Sequence, residues 1–254
     1  MLYDGSASSL EEIEALRALG FDFAEVVIPN ATARRLWWES RVNNDFSDGF
    51  QLIAHGPTVE EPPDDLFYLR NKYLPALMST VDTAHRMHIT MLTVHLWMDT
   101  RFIPGLVLAE KRRALKELTE YGLRNGVTVC LENVSETAGD LEIVIEEVPN
   151  LQLTLDIGHG QLLGSANESF EIIRRFSRLI RHVHVHDNQG GDTLANDLHL
   201  PIGEGLIDFP AIFEALIRSR YDGTMTLEIK PETLLSSLDR VRRLASLLQK
   251  EITR

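Results

Sequence analysis

The chain has 254 residues, 44% of them hydrophobic and 25% charged, with 38 acidic against 25 basic side chains and a formal net charge of −13. A field of that sign repels polyanions, so bulk nucleic-acid binding is disfavoured, while the single cysteine, Cys130, excludes a disulfide framework. No apolar run is long enough to span a bilayer, no charged leader opens the chain and no linker divides it, so one cytoplasmic domain over residues 1–254 is expected.

A first short strand is expected at Leu2-Tyr3. Ser8 or Ser9 then caps a helix in which Leu10, Ile13, Leu16 and Leu19 recur at helical spacing before Gly20. Strand two runs from Phe23 to Ile28, and strand three, Gln51 to His55, follows a poorly patterned stretch. A long helix covers Leu66 to His88 with Pro75 as its expected kink, and Met91 to His95 is strand four. Helix Leu106 to Asn125 stops at Gly126, after which strand five, Val127 to Glu132, is backed by helix Asp140 to Glu147. Strand six is Leu151 to Asp156. Helix Glu168 to Arg178 leads to strand seven, Ile180 to His186, and helix Phe209 to Ser219 leads to strand eight, Thr224 to Ile229. A Leu- and Arg-rich helix, Glu232 to Lys250, closes the chain.

Strands alternating with helices imply right-handed crossovers and a parallel sheet, and eight such units in one α/β domain imply closure as a (β/α)8 TIM barrel. The loops Ser40 to Gly49, Gly56 to Asp65 and Asp187 to Asp208 exceed ordinary connection length and are expected to form the rim of the active face.

Alternation along the strands decides which side chains enter the barrel. Leu151, Leu153 and Leu155 pack outward on helices, sending Gln152, Thr154 and Asp156 inward; by the same argument Thr128, Cys130 and Glu132 face in, as do His182, His184 and His186. At or just past the strand ends lie His55, His95, Glu132, Asp156, His159, His184, Asp197, His199 and Glu228. Carboxylate oxygen and neutral imidazole are ligands of divalent Zn, Mn and similar ions, so these side chains predict a metal centre at one mouth of the barrel. Glu132 and Glu228, on well-separated strands, can exchange a proton with the two faces of a substrate. His182 and His186 are left out of the ligand set, His186 being kept as a substrate contact, and Trp97 can stack on a sugar. Asp4 and Glu25 read as rim carboxylates paired with Arg or Lys, His85 and His88 as structural groups in a last helical turn, and Cys130 as interior filler. Trp37-Trp38 is read either as a stacking surface for a sugar or base or as a cover over the barrel.

The segments Leu131-Glu132-Asn133, Asp156-Ile157-Gly158-His159, His184-Val185-His186-Asp187, Asp197-Leu198-His199 with Gly203-Glu204-Gly205, and Thr226-Leu227-Glu228 together resemble the xylose isomerase-like barrel superfamily. That superfamily contains sugar and sugar-phosphate isomerases and epimerases together with endonuclease IV, and the resemblance covers essentially the whole chain. In the isomerase branch it implies one divalent ion held by Glu132, Asp156, His184 and Glu228, the two glutamates doubling as acid and base, with His159 contacting substrate. In the endonuclease IV branch it implies three zinc ions: one on His55, His95 and Glu132, a central one on Glu132, Asp156, His184 and Glu228, and a third on His159, Asp197 and His199. The segment after His55 departs from that branch, because Glu60, Glu61, Asp64 and Asp65 would meet phosphates unfavourably. The loop Asp187 to Asp208 departs from the isomerase branch in having no Arg for sugar oxygens. The leading expectation is a zinc- or manganese-dependent isomerase or epimerase of a small sugar or sugar phosphate, with a multinuclear phosphoesterase as the alternative. Subunit number is left open.

Overall fold

The computed structural model describes residues 1–28, 50–57 and 65–252. Eight parallel strands close in sequence order: β1 (Leu2–Ala7), β2 (Phe23–Val27), β3 (Gln51–His55), β4 (Met91–Val94), β5 (Thr128–Glu132), β6 (Gln152–Asp156), β7 (Ile180–Val185) and β8 (Thr224–Leu227), which pairs back onto β1. Around them lie α1 (Leu10–Ala18), α2 (Leu66–Tyr68, a π-helical turn Leu69–Tyr73, then Leu74–Arg86), α3 (Gly105–Arg124), α4 (Ala138–Glu147), α5 (Ser169–Phe176), α6 (Phe209–Arg218) and α7 (Leu234–Ile252). This is the (β/α)8 barrel that the alternating pattern predicts. Its apolar core is the layer between strands and helices, where Leu153, Leu155, Val183, Val185, Met225 and Leu227 meet helix residues such as Ile13, Leu77 and Leu115. No helix among the described residues is long and apolar enough to cross a membrane.

Two local expectations need correction. The first strand runs on to Ala7 because Asp4, Gly5 and Ser6 continue the ladder with β8 and β2; small and polar residues there conceal it from a hydrophobicity reading. The anticipated kink at Pro75 is a π-helical turn immediately before it. Pro75 follows that turn directly, in the first turn of the next α-helical segment. Of the two candidate caps of α1, Ser9 makes the bond, its Oγ accepting from the Glu12 N–H at 3.2 Å.

The long loop after β7 is folded around buried Asp187. Its carboxylate accepts from the backbone N–H groups of Asn188 (2.8 Å), Gly203 (2.8 Å), Gly205 (2.9 Å) and Ile207 (3.3 Å). Its backbone exchanges two bonds with Leu200, and Asp197 and His199 are thereby held over the barrel mouth. Ser40 to Gly49, residues 58–64 of the next rim segment with Glu60, Glu61 and Asp64, and Trp37-Trp38 lie outside the described residues.

Candidate metal centre

The strand ends bring the nine anticipated side chains to one mouth. His55, Glu132 and Asp156 end β3, β5 and β6; His184 lies in β7; His95 and Glu228 stand one residue beyond β4 and β8; His159, Asp197 and His199 come from the following loops. Glu132 is the hub. Its Oε2 lies 2.8 Å from His95 Nε2 and 3.2 Å from His55 Nε2, while its Oε1 lies 3.2 Å from both His184 Nδ1 and His159 Nδ1. His184 Nδ1 is also 3.5 Å from Glu228 Oε1 and 3.6 Å from Asp156 Oδ2. Asp197 Oδ2 sits between His159 Nε2 at 3.1 Å and His199 Nε2 at 3.0 Å. Among the described residues ligand atoms therefore gather in four groups, three at the mouth (Glu132, Asp156, His184 and Glu228; His55, Glu132 and His184; and His159, His186, Asp197 and His199) and one deeper in the barrel (Glu25, His182 and His184). His95 stands on the outer oxygen of Glu132, and His186 joins a ligand group although it was read as a substrate contact.

Several imidazoles are held from behind by main-chain carbonyls. Nδ1 of His55 meets Gly56 O at 2.8 Å, that of His159 meets Asn133 O at 3.0 Å, and that of His199 meets Glu228 O at 2.7 Å. A proton on Nδ1 leaves Nε2 with a free lone pair toward the centre. Asn133 ties β5 to β6 through two 2.9 Å bonds with the Asp156 backbone. His186 is fully buried, its Nε2 3.1 Å from Asp156 Oδ1, and its ring occupies the space that a Cβ on Gly158 would need, 2.0 Å away. Trp97 donates its indole N–H to Ser135 Oγ at 2.8 Å and stacks on Phe102, outside the lining of the central cavity.

The electrostatics are those of anions and imidazoles in mutual support. Burial pushes the Glu132 carboxyl up, but the imidazoles of His95 and His184, with that of His159, outweigh it, holding the group well below the usual carboxylate range. Asp156 is held low against burial in the same way, chiefly by His159 and His186. Burial lowers His55, yet its Glu132 bond and charge raise it to about 9; His199, against the same penalty, is raised to about 9 by Asp197 and Glu228.

A divalent cation fits these donors. Glu132 Oε1 and His184 Nδ1 are buried without a hydrogen-bond partner among the described residues, 3.2 Å apart, and His186 Nδ1 is orphaned likewise. Buried polar atoms left unpaired are costly, and imidazole nitrogen with carboxylate oxygen is the donor set of Zn and Mn. Above the centre opens a cavity of about 420 Å³, lined by ligand side chains together with Ser6, Val27, Ile229 and Lys230.

Three residues read otherwise, or not at all, from the sequence belong to this structure. Asp4 and Glu25 are fully buried inside the barrel, not rim carboxylates paired with Arg or Lys. Alternation offered the signal for Glu25, because Ala24 and Val26 are the helix-facing residues of β2. Asp187 shapes the loop through backbone bonds, for which a sequence offers no signal. His85, by contrast, is structural as expected, its Nδ1 bonding Asn125 O at 2.7 Å. Cys130 is buried, and burial pushes its thiol up to about 12, consistent with filler.

A family model described as xylose isomerase-like TIM barrel matches residues 13–250. Uncharacterized protein MJ1311 of Methanocaldococcus jannaschii is 29% identical over 197 residues, 71% of this chain and 64% of that protein, so the match spans less than two thirds of the relative. Among solved structures, a D-tagatose 3-epimerase-like protein superposes with a TM-score of 0.81 at 22% identity, covering 99% of this chain and 100% of the other. The IOLI protein with a binding zinc atom superposes with a TM-score of 0.72 at 15% identity, covering 99% and 98%. At these identities the superpositions establish the shared fold.

Proposed function

The chain belongs to the xylose isomerase-like TIM barrel family, and from that premise we propose that it is a divalent-metal-dependent isomerase or epimerase of a small sugar or sugar phosphate. The observation that carries this reading is the meeting of Glu132 and Glu228, from β5 and the end of β8, at His184 Nδ1, 3.2 and 3.5 Å away, beneath a sugar-sized cavity. Glu132, Asp156, His184 and Glu228 would hold the central ion, which when bound polarises a substrate carbonyl. Glu228 borders the cavity with part of its side chain exposed, so it takes a proton from the carbon beside the carbonyl. Glu132, three strands around the barrel, returns one. Lys230, the one Lys or Arg among the described lining residues, suits a phosphate on the substrate. The similarity to a D-tagatose 3-epimerase-like protein over 99% of this chain supports the same reaction class.

A second reading, a multinuclear phosphoesterase, is favoured by one observation: two further ligand groups flank the central one. A carboxylate bridging two ions, as Glu132 would be there, is less available as a base. The test incubates zinc- or manganese-loaded protein with ketoses and ketose phosphates in D2O under NMR. Interconversion with deuterium entering beside the carbonyl is expected. No exchange with any of them, together with metal-dependent cleavage of a phosphodiester, would replace the first reading by the second.

A further inference from the structure

His184 differs from His55, His159 and His199 in what stands behind it. No backbone carbonyl among the described residues holds it; its Nε2 faces the carboxylate of Glu25, at 3.1 Å from Oε2 and 3.3 Å from Oε1. Glu25 is fully buried on β2, and its Oε2 also takes His182 Nε2 at 3.3 Å. His182 Nδ1 in turn lies 2.7 Å from Thr224 Oγ1 on β8. The backbone N–H of Glu25 donates to Asp4 Oδ2, which fixes the strand carrying it. The donors assign themselves along this chain: Thr224 O–H to His182 Nδ1, His182 Nε2–H to Glu25, His184 Nε2–H to Glu25. His184 Nδ1 is then left with a bare lone pair, and it is the atom without a partner that points at Glu132, Asp156 and Glu228.

We infer that Glu25 is a positioning residue for the metal centre: it fixes His184 in the Nε2–H tautomer so that Nδ1 is the ligand atom, with His182 and Thr224 bracing it from the barrel floor. The inference rests on the metal-binding part of the proposed function and not on the substrate. An anionic acceptor behind an imidazole raises the ring's basicity and locks its rotation, and loss of such a partner typically weakens metal binding about 10- to 100-fold. Glutamine at this position keeps the volume but is neutral, so the anionic acceptor behind both imidazoles is lost and a donor NH2 replaces one carboxylate oxygen.

The test measures zinc affinity by chelator competition and records long-range 15N–1H spectra of the His184 ring. In the zinc-loaded wild type, His184 is expected to carry its proton on Nε2 and to bind zinc through Nδ1. Glu25→Gln is expected to weaken the tightest zinc about 10- to 100-fold and to mix the tautomer pattern, and Glu25→Asp to recover part of both. Zinc bound through His184 Nε2 in the wild type overturns the inference whether or not any variant folds. Unchanged zinc affinity and unchanged tautomer in a folded Glu25→Gln protein do the same. So does loss of one whole equivalent of zinc with the tightest site intact, which would make Glu25, His182 and His184 a site of their own. Sugar turnover enters none of these measurements, so failure of the isomerase reading leaves this result standing.

Discussion

Glu132 and Glu228 differ in setting although they share the central group. Glu132 is sealed beneath four imidazoles, whereas Glu228 reaches the cavity with 17% of its side chain exposed. Glu228→Gln is therefore expected to lower turnover about 100-fold or more while leaving most of the bound metal. Glu132→Gln is expected to lose both, since it removes an anion shared by His55, His95, His159 and His184. Steady-state rates and metal analysis separate the two, with Glu214→Gln on the exposed face of α6 as the unaffected control. Equal rates in all three proteins would remove the proton-transfer role. At this scale the side chains that gather at the mouth were legible because alternation and strand-end position expose them, and Asp156 with His159, or Asp197 with His199, carry short spacings. The layer behind was not: Asn133 bonds to the Asp156 backbone, Asp187 to its own loop and Glu25 across the barrel interior to His184, and no local pattern encodes such pairings.

The loop after β7 is the element on which the outer ligand group depends. Replacing Asp187 by Ala strands the N–H groups of Asn188, Gly203, Gly205 and Ile207 inside the loop, at a cost of about 2 kcal/mol or more. Asp187→Ala is expected to make residues 188–206 susceptible to limited proteolysis and to release metal held by His159, Asp197 and His199 before metal at the central group. Simultaneous loss of both would show that the loop is not an independent support. Strands and helices themselves were legible nearly throughout, because apolar residues follow a period of two in β5 to β7 and a helical period in α1, α3 and α6. The sequence reading shortened β1, where Asp4 and Ser6 face the barrel interior, and it could not foresee that the turn before Pro75 would be π-helical.

For the whole molecule, the buried charges make stability depend on pH in a defined direction. His55 and His199 rise from near 6.5 to about 9 in the folded metal-free protein, so their contribution is complete below about pH 6.5 and is lost as pH climbs through about 9. The depressed carboxyls Glu132 and Asp156 act oppositely, contributing above about pH 4 and losing that contribution as pH falls. Urea midpoints in chelator should therefore decline between pH 6.5 and 9; a midpoint that climbs over that range contradicts the assignment. Zinc affinity should rise over the same interval, because bound protons must leave the imidazoles first. The net charge of −13 also predicts weak affinity for duplex DNA, and zinc-loaded protein should leave an abasic duplex intact at physiological salt. Rapid metal-dependent incision would promote the phosphoesterase reading.

The main-chain carbonyls of Gly56, Asn133 and Glu228 that hold His55, His159 and His199 carry a consequence for how such a barrel changes over generations. A carbonyl is present whatever side chain its residue bears, so the hold on these three imidazoles comes from the course of the chain and not from the side chains of Gly56, Asn133 or Glu228. The orientation of these rings is thus inherited with the barrel itself. Rim loops can be exchanged around strands that keep their course, and the three imidazoles keep their facing.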